Sequence, residues 1–276
     1  MAGEVPSGSA PTRDPLDEAV RLHELAVAAR DAGRLAEAEE LATKSLHIFE
    51  AEAGPDNPVN PDVANVLLCL AGVHDDRADY VGAEPLYRRA ADTVAKLPES
   101  DPGEVELQRL RMQAVGGLGT VLRILGRYGE AEPLLTRAVA IAERTFEGGD
   151  AEIADALNDL AVLYKYTGEF EKASNLYRRA LTIVEQSKGA DAPQAATILH
   201  NMGGLEHARG EFARGEPFAR RSVSIREKTL GPDHPEVAAD AAALAALLEG
   251  QEKFEEAEAI YRRALAIFER VYGPGH

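Results

Sequence analysis

The histidines and the lone cysteine are the first residues from which a reactive or metal-binding site could be built. His200 and His207 are seven residues apart, two turns along one face of a helix, so their ring nitrogens converge only through a ligand. No carboxylate or third histidine stands at ligand spacing, so no metal site is predicted. Cys69 and His74 are five residues apart and diverge on a helix, so Cys69 is expected to be a small buried or groove-edge residue rather than a nucleophile.

Two asparagines suit a different chemistry. The amides of Asn158 and Asn201 donate and accept hydrogen bonds together, which suits binding of a peptide backbone of any sequence. The run Gly116–Gly119 lies inside a helical pattern without a preceding strand, so it predicts close helix packing rather than phosphate binding. No convergent acid, base and nucleophile is found, and no cofactor is expected. These residues favour a binding protein over an enzyme.

Charge and composition exclude several classes of partner. The 276 residues include 47 acidic and 30 basic side chains, a net charge of −17, which disfavours binding to nucleic acid or to an anionic membrane. No signal peptide or membrane-spanning stretch is recognised. The single cysteine cannot form an intramolecular disulfide, so a cytoplasmic location is expected.

A repeat of about 42 residues organises the chain. Three stretches ending at Leu181, Val223 and Leu265 align 42 residues apart, and three further copies precede them. Each copy has one position at which a turn is expected, and we call that position its turn residue. The six turn residues are Gly33, Ala78, Gly126, Gly168, Gly210 and Glu252.

The pattern around each turn residue predicts two antiparallel amphipathic helices. Leu or Met stands eight residues before it, a large apolar residue stands two after it, and small residues recur five and twelve after it. One such hairpin cannot bury its own apolar stripe, so consecutive hairpins must stack. We therefore predict an all-α solenoid forming one domain over 16–276, after a disordered tail at 1–15. The expected repeats are 16–58, 61–100, 103–147, 150–188, 191–230 and 233–272.

Two further features support this helical reading. Asp14, Asn60 and Asp101 each precede a proline, and the run Asp233–Pro235 is similar, which is typical of helix N-termini. Pairs of arginines recur at one site of the second helix, so we expect them to pair with neighbouring glutamates rather than to bind nucleic acid. The pairs are at 88–89, 178–179, 220–221 and 262–263.

The pattern resembles tetratricopeptide repeats, specifically the 42-residue variety of the kinesin light chain type. The segment Leu230–Ala238, with the sequence LGPDHPEVA, resembles that family's loop between repeats, and weaker copies occur at Gly54–Pro58 and Tyr272–His276. The resemblance covers about residues 16–276. It implies a right-handed superhelical solenoid in which the first helix of each hairpin lines a concave groove.

The resemblance also implies that a peptide segment or helix of a partner binds in this groove. Kinesin light chains carry paired asparagines on the first helix, and here the pairs are Asn158-Asp159 and His200-Asn201, a partial match. The lysine and asparagine set that grips chaperone carboxylates is not matched, since His23 and Val27 stand at its first positions. The expected groove residues are Arg123, Asn158, Asp159, Lys165, His200, Asn201 and His207.

The charge distribution refines the expected partner. Residues 101–230 carry 17 basic and 19 acidic side chains, close to neutral in a strongly acidic chain. With Arg123 and Lys165 on the inferred groove wall, this favours a partner that carries acidic residues. Solvated charges on a repeat scaffold are the competing interpretation. A second functional hypothesis is a regulatory sensor whose solenoid changes shape on binding a peptide and so controls an effector protein.

The ends and the interior of the solenoid give two further expectations. Leu160 is inferred to lie between two hairpins and to be buried. Ile260, Leu265 and Phe268 are expected to leave an apolar surface at the last repeat, where solenoids usually carry a polar cap. Self-association there and continuation of the array are both compatible with that surface.

Overall fold

A computed structural model describes residues 14–52, 60–97, 104–147 and 149–273. Every regular element in these ranges is an α-helix, which confirms the all-α prediction. The helices are α1 Pro15–Asp31, α2 Leu35–Glu52, α3 Pro61–Asp76, α4 Tyr80–Lys96, α5 Val105–Ile124, α6 Tyr128–Thr145, α7 Ala151–Tyr166, α8 Phe170–Lys188, α9 Pro193–Arg209, α10 Phe212–Leu230, α11 Pro235–Glu249 and α12 Phe254–Tyr272.

All six turn residues adopt the left-handed backbone conformation. Four of them are glycines, with φ between 72° at Gly33 and 80° at Gly168, a region that glycine enters without steric cost. Ala78 and Glu252 take the same conformation, with φ of 56° and 62°, although a Cβ disfavours it. Each turn joins the two helices of one repeat, so the spacing of the turn residues did predict the helix boundaries.

Helix starts use the expected side chains. The Asp14 carboxylate accepts from the Leu16 amide at 3.0 Å, and the Asn60 side chain accepts from the Asp62 amide at 2.8 Å. In the run Asp233–Pro235 it is His234 whose ring nitrogen caps the helix. Because α1 begins at Pro15, the expected tail is described only at its last two residues. Asp101, the loop Gly54–Pro58 and the end of the segment Tyr272–His276 lie outside the described residues.

The helices divide into two compact units. Unit 1 covers Met1–Arg127 and contains α1 to α5. In it α1 pairs with α2 and α3 with α4, while α3 also contacts α1 and α5. Its main core joins Leu46 and Phe49 of α2 to Leu70 of α3. Gly117 of α5 lies against the ring of Tyr87 with no room for a Cβ, which confirms the close packing predicted there.

Unit 2 covers Tyr128–His276 and contains α6 to α12. Here α7 pairs with α8, α9 with α10 and α11 with α12, and the first helices α7, α9 and α11 contact one another in that order. Leu160 of α7 is 5% exposed, as predicted. Consecutive pairing of helices within each unit confirms the predicted stacking of helical hairpins.

The arginine pairs bind glutamates, as predicted. In three of the four pairs the first arginine contacts a glutamate one turn earlier in its own helix, as Arg88 does with Glu84 at 2.7 Å, whereas Arg178 contacts Asn175. The second reaches the second helix of the preceding repeat. In unit 2 these bridges are Arg179–Glu143 at 2.6 Å, Arg221–Glu185 at 2.6 Å and Arg263–Glu227 at 2.7 Å.

Within the described ranges no helix is both long enough and apolar enough to cross a lipid bilayer.

Candidate functional site

Two of the predicted groove residues meet across neighbouring first helices of unit 2. The Asn201 amide on α9 donates to the Asn158 carbonyl oxygen on α7 at 2.9 Å, and both side chains are half-buried. Each side-chain amide offers two donor hydrogens and two acceptor lone pairs, so one shared bond leaves capacity for a peptide backbone. Asp159 lies beside this pair, with its carboxylate 3.5 Å from the Asn158 amide nitrogen.

A third predicted residue extends the polar row to the next first helix. His200, the neighbour of Asn201 on α9, places Nδ1 2.8 Å from the carboxylate of Asp240 on α11. Asp240 is 3% exposed and also accepts from the Ser222 hydroxyl and, at 2.8 Å, from the Arg226 guanidinium, both on α10. Polar contacts therefore run from α7 through α9 to α11.

The Asp240 carboxylate is the buried charge that holds this network together. Burial would raise its pKa, but bonds from His200 and Ser222 and the positive charges of His200 and Arg226 outweigh burial, so its pKa lies below the ordinary value. Ser222, His200 and Asp240 meet, and the hydroxyl and the histidine contact different oxygens of the carboxylate. With Ser222 fully buried, this arrangement cannot activate a nucleophile.

The remaining predicted residues of unit 2 lie closer to the turns. Lys165 of α7 extends toward Gly204 of α9 and lies over the ring of Tyr166, with its Nζ 5.0 Å from the ring centroid. His207 is exposed and its ring meets that of Phe212 edge to face, with centroids 5.3 Å apart. Thus Asn158, Asp159, His200 and Asn201 form one cluster, and the other two side chains are engaged with aromatic rings.

Arg123 belongs to unit 1, where it is half-buried near the end of α5. Cys69, also in unit 1, is 6% exposed, and burial raises the pKa of its thiol. This is the small buried residue that was predicted. His74, its candidate partner in sequence, instead places Nδ1 2.7 Å from Asp79. Over the described residues, no group of three potential ligands could hold a metal ion.

Sequence reasoning missed Asp240, Ser222 and Arg226. A signal was present, because Asp240 stands twelve residues before its turn residue, a position occupied by Val66, Ala114 and Ile198 in other repeats. The other charged residue at this position, Arg21, is exposed, and a carboxylate that is buried there requires partners. Ser222 stands twelve residues after its turn residue, where every repeat has a small residue. Since serine and alanine have similar size, this position did not indicate a polar contact.

The fold resembles that of several solved structures. BtubC (BKLC) from P. vanneervenii is 23% identical, with a TM-score of 0.68 over 88% of this chain and 94% of that one. A putative kinesin light chain from P. anserina is 20% identical, with a TM-score of 0.61 over 76% and 96%. The quorum sensor NprR from B. thuringiensis is 16% identical, with a TM-score of 0.68 over 91% of this chain and 65% of that one. At these identities the similarity shows the fold alone.

No curated protein sequence matches this chain. Family models described as tetratricopeptide repeat match residues 108–186 and 194–276, and a further model with the same description matches 19–59. The matched ranges cover more than half of the sequence and include five of the six turn residues. The chain therefore belongs to the tetratricopeptide repeat family.

Proposed function

We propose that this protein is a non-enzymatic interaction module that binds an extended segment or helix of a partner protein across α7, α9 and α11 of unit 2. One observation carries the proposal: the hydrogen bond between Asn201 and Asn158, which places two half-buried amides side by side on adjacent first helices. Such a pair can bind a backbone carbonyl and a backbone N–H together, without selecting side chains.

Charge beside the amides suggests which side chains the partner carries. Lys165 lies two turns after Asn158 on α7 with its Nζ beside Gly204 of α9, and His200 lies at the centre of the polar row. We propose that the bound segment includes acidic residues, with Lys165 supplying the cationic contact. Salt should then weaken binding, since a half-buried lysine is partly screened.

A peptide array followed by affinity measurement on the hits tests this proposal. The Asn158→Ala, Asn201→Ala double variant should bind a hit roughly tenfold or more weakly, because each lost hydrogen bond is worth about 1 kcal/mol. Asn175→Ala is the matched control, since Asn175 is an amide on α8 whose bond to Arg178 lies away from α7, α9 and α11. Thermal unfolding of each variant shows whether it is folded under the assay conditions. Equal affinity for the double variant and the control would contradict the proposed site.

A regulatory sensor is the second candidate function. It is favoured because the bonds that join α7 to α9 and α9 to α11 are made by the same side chains that a bound segment would contact. A ligand that replaces these bonds would change the spacing of the first helices. The similarity to a quorum sensor supports the same idea at the level of the fold.

X-ray scattering separates the two candidates. With a peptide identified on the array, a sensor shows a change in radius of gyration that saturates with binding, and a scaffold does not. We further infer a cytoplasmic location and the kinesin light chain variety of the repeat. The first is supported by the single, buried thiol, and the second by the 42-residue spacing and the similar structure of the P. anserina kinesin light chain.

A further inference from the structure

Gly204 of α9 is a glycine inside a helix that neither its backbone nor its packing explains. It stands three residues after Asn201, on the same face of α9. Among the described residues, the one heavy atom within 4 Å of a Cβ added there is the Lys165 Nζ, at 3.6 Å, an ordinary contact. Its neighbour Gly203 is buried, with a Cβ position 3.5 Å from the Ala219 side chain of α10. Because glycine destabilises a helix relative to alanine, the open space over Gly204 indicates that a ligand approaches the backbone there.

Unit 1 shows the same arrangement in a filled form. At the repeat position of Gly204, six residues before the turn residue, α3 carries Gly72. The guanidinium of Arg30 on α1 lies over Gly72, so closely that a Cβ there would collide with it. Asp76 of α3 accepts two hydrogen bonds from this guanidinium, from Nε at 2.6 Å and from Nη2 at 3.2 Å. In α3 the glycine therefore makes room for a cation, and a carboxylate four residues later binds that cation.

Unit 2 repeats the glycine and the cation but not the carboxylate. Lys165 stands at the repeat position of Arg30, three residues before its turn residue, and its Nζ lies beside Gly204. The position of Asp76 is occupied by Ala208, which is exposed. Within unit 2, α9 contacts α7 on one side and α11 on the other, so the opening lies between repeats that are both present.

We propose that a carboxylate of the bound partner segment occupies this opening over Gly204 and contacts Lys165, as Asp76 contacts Arg30 in unit 1. The inference rests on the proposed function and adds the position at which an acidic residue is selected. Gly204 lies three residues from Asn201, about 4.5 Å along the helix axis. An extended chain advances about 3.3 Å per residue, so the carboxylate belongs to the residue whose backbone the amides bind or to its neighbour. A side chain at position 204 would fill the opening.

A library of short peptides tests this inference. Each sequence is present once with aspartate and once with asparagine at its centre, and affinities are measured for the pairs that bind. The unmodified chain should bind the aspartate member about tenfold more tightly, because a hydrogen bond to a charged group is stronger than one to a neutral group. Gly204→Val should abolish this preference, because its side chain fills the opening.

A carboxylate placed on α9 itself provides a second variant. Ala208→Asp should also abolish the preference, because the chain then carries its own carboxylate at the position of Asp76 and competes with the peptide for Lys165. Ala208 is exposed, so the substitution leaves the core unchanged. Asn175→Asp on α8 is the matched control, since it adds the same charge at an exposed site away from α7 and α9.

Thermal unfolding separates a binding role of Gly204 from a structural one. Gly204→Ala should raise the melting temperature by about 2 to 4 °C, because alanine favours the helix, and should at the same time weaken binding of the aspartate peptides several-fold. A structural role would instead couple weaker binding to lower stability. Gly129→Ala is the matched control, because Gly129 of α6 also has open space at its Cβ position, and its binding should be unchanged.

The outcomes distinguish this inference from the proposed function. Binding that needs Asn158 and Asn201 but keeps its preference for aspartate in Gly204→Val and Ala208→Asp would overturn the inference and leave the amide site intact. Such binding without any preference for aspartate would do the same. An equal effect of Ala208→Asp and Asn175→Asp would also overturn it, because the net charge rather than the position would then set the preference. If no peptide binds the unmodified chain at millimolar concentration, both the inference and the proposed function are wrong.

Discussion

The first and last helices that the structure describes expose different kinds of residue on the faces that contact neighbouring repeats elsewhere. At the first helix, α1, the face that meets a preceding repeat elsewhere carries Glu18 and Arg21, a solvent-exposed ion pair, with Leu25 as its one large apolar side chain. At the last helix, α12, the face that meets a following repeat elsewhere carries Phe254 and Leu265, both more than half exposed. The exposed face of α1 thus carries an ion pair, whereas that of α12 is apolar.

The difference teaches that periodicity fixes where side chains lie but not whether they are covered. Repeat proteins derive stability from interfaces between neighbouring repeats, so an edge without a neighbour must be polar or be covered by something else. Arg21 meets the first condition. Phe254 and Leu265 of α12 do not, since both are apolar and exposed.

The largest difference is expected between Leu160, which is buried in the interior, and Leu265, which is exposed on α12. Leu160→Ala should lower the free energy of unfolding by roughly 2 to 5 kcal/mol, because it leaves a cavity among buried neighbours. Leu265→Ala should cost less than about 1 kcal/mol, because the side chain is already in water. Urea unfolding of both variants measures the two values. Equal losses of unfolding free energy would show that the Leu265 side chain is covered in solution.

A second contrast concerns two charges at one repeat position, Arg21 in water and Asp240 in the interior. Asp240→Asn should cost roughly 3 kcal/mol at pH 7, because Arg226 loses its buried counter-charge. The pKa of Asp240 is lower in the folded than in the unfolded chain, so the unfolded chain binds more protons at acid pH. Its contribution is therefore complete above the ordinary aspartate pKa and is lost as pH falls below about 4. Unfolding measured from pH 7 to pH 3 should be less pH-dependent in the variant, and identical slopes would contradict this role.

The turn residues allow a smaller comparison. Glu252→Gly should stabilise the chain by about 1 kcal/mol, since a left-handed backbone is unfavourable for a residue with a Cβ. Gly168→Ala should destabilise it by about the same amount for the same reason. Thermal unfolding of the two variants should shift in opposite directions. A loss of stability in Glu252→Gly would mean that the Glu252 side chain makes a contact that outweighs the backbone effect.

The smallest expected effect compares two cations at the same repeat position, one that reaches a neighbouring repeat and one that does not. Lys253 and Arg34 both follow their turn residue directly, but Lys253 reaches Glu216 in the preceding repeat while Arg34 contacts Glu37 in its own helix. Lys253→Ala should cost up to about 1 kcal/mol, and Arg34→Ala no more than a few tenths. Both losses should shrink at 1 M salt. A larger loss for Arg34→Ala would show that the first repeat has an unrecognised partner for its cation.

Much of the fold followed from spacing alone. The turn residues predicted the joints between helices because small and large apolar residues recur at fixed distances from them, and this recurrence depends on local geometry. The candidate site was predicted less fully. Asn158 and Asn201 were placed on the correct helices, but their mutual hydrogen bond depends on the offset between α7 and α9, which sequence spacing does not give. The role of Asp240 was not foreseen, because its partners come from both helices of the preceding repeat.

The bridges made by Arg179, Arg221 and Arg263 have a mechanical consequence. They tie together the second helices of unit 2, while the first helices on the other side touch one another directly. Salt weakens exposed ion pairs, whose range shrinks to about 3 Å at 1 M, and leaves apolar packing intact. Rising ionic strength should therefore relax one side of each hairpin layer and not the other. The spacing of the second helices in unit 2 should therefore depend on salt more than the spacing of the first helices does.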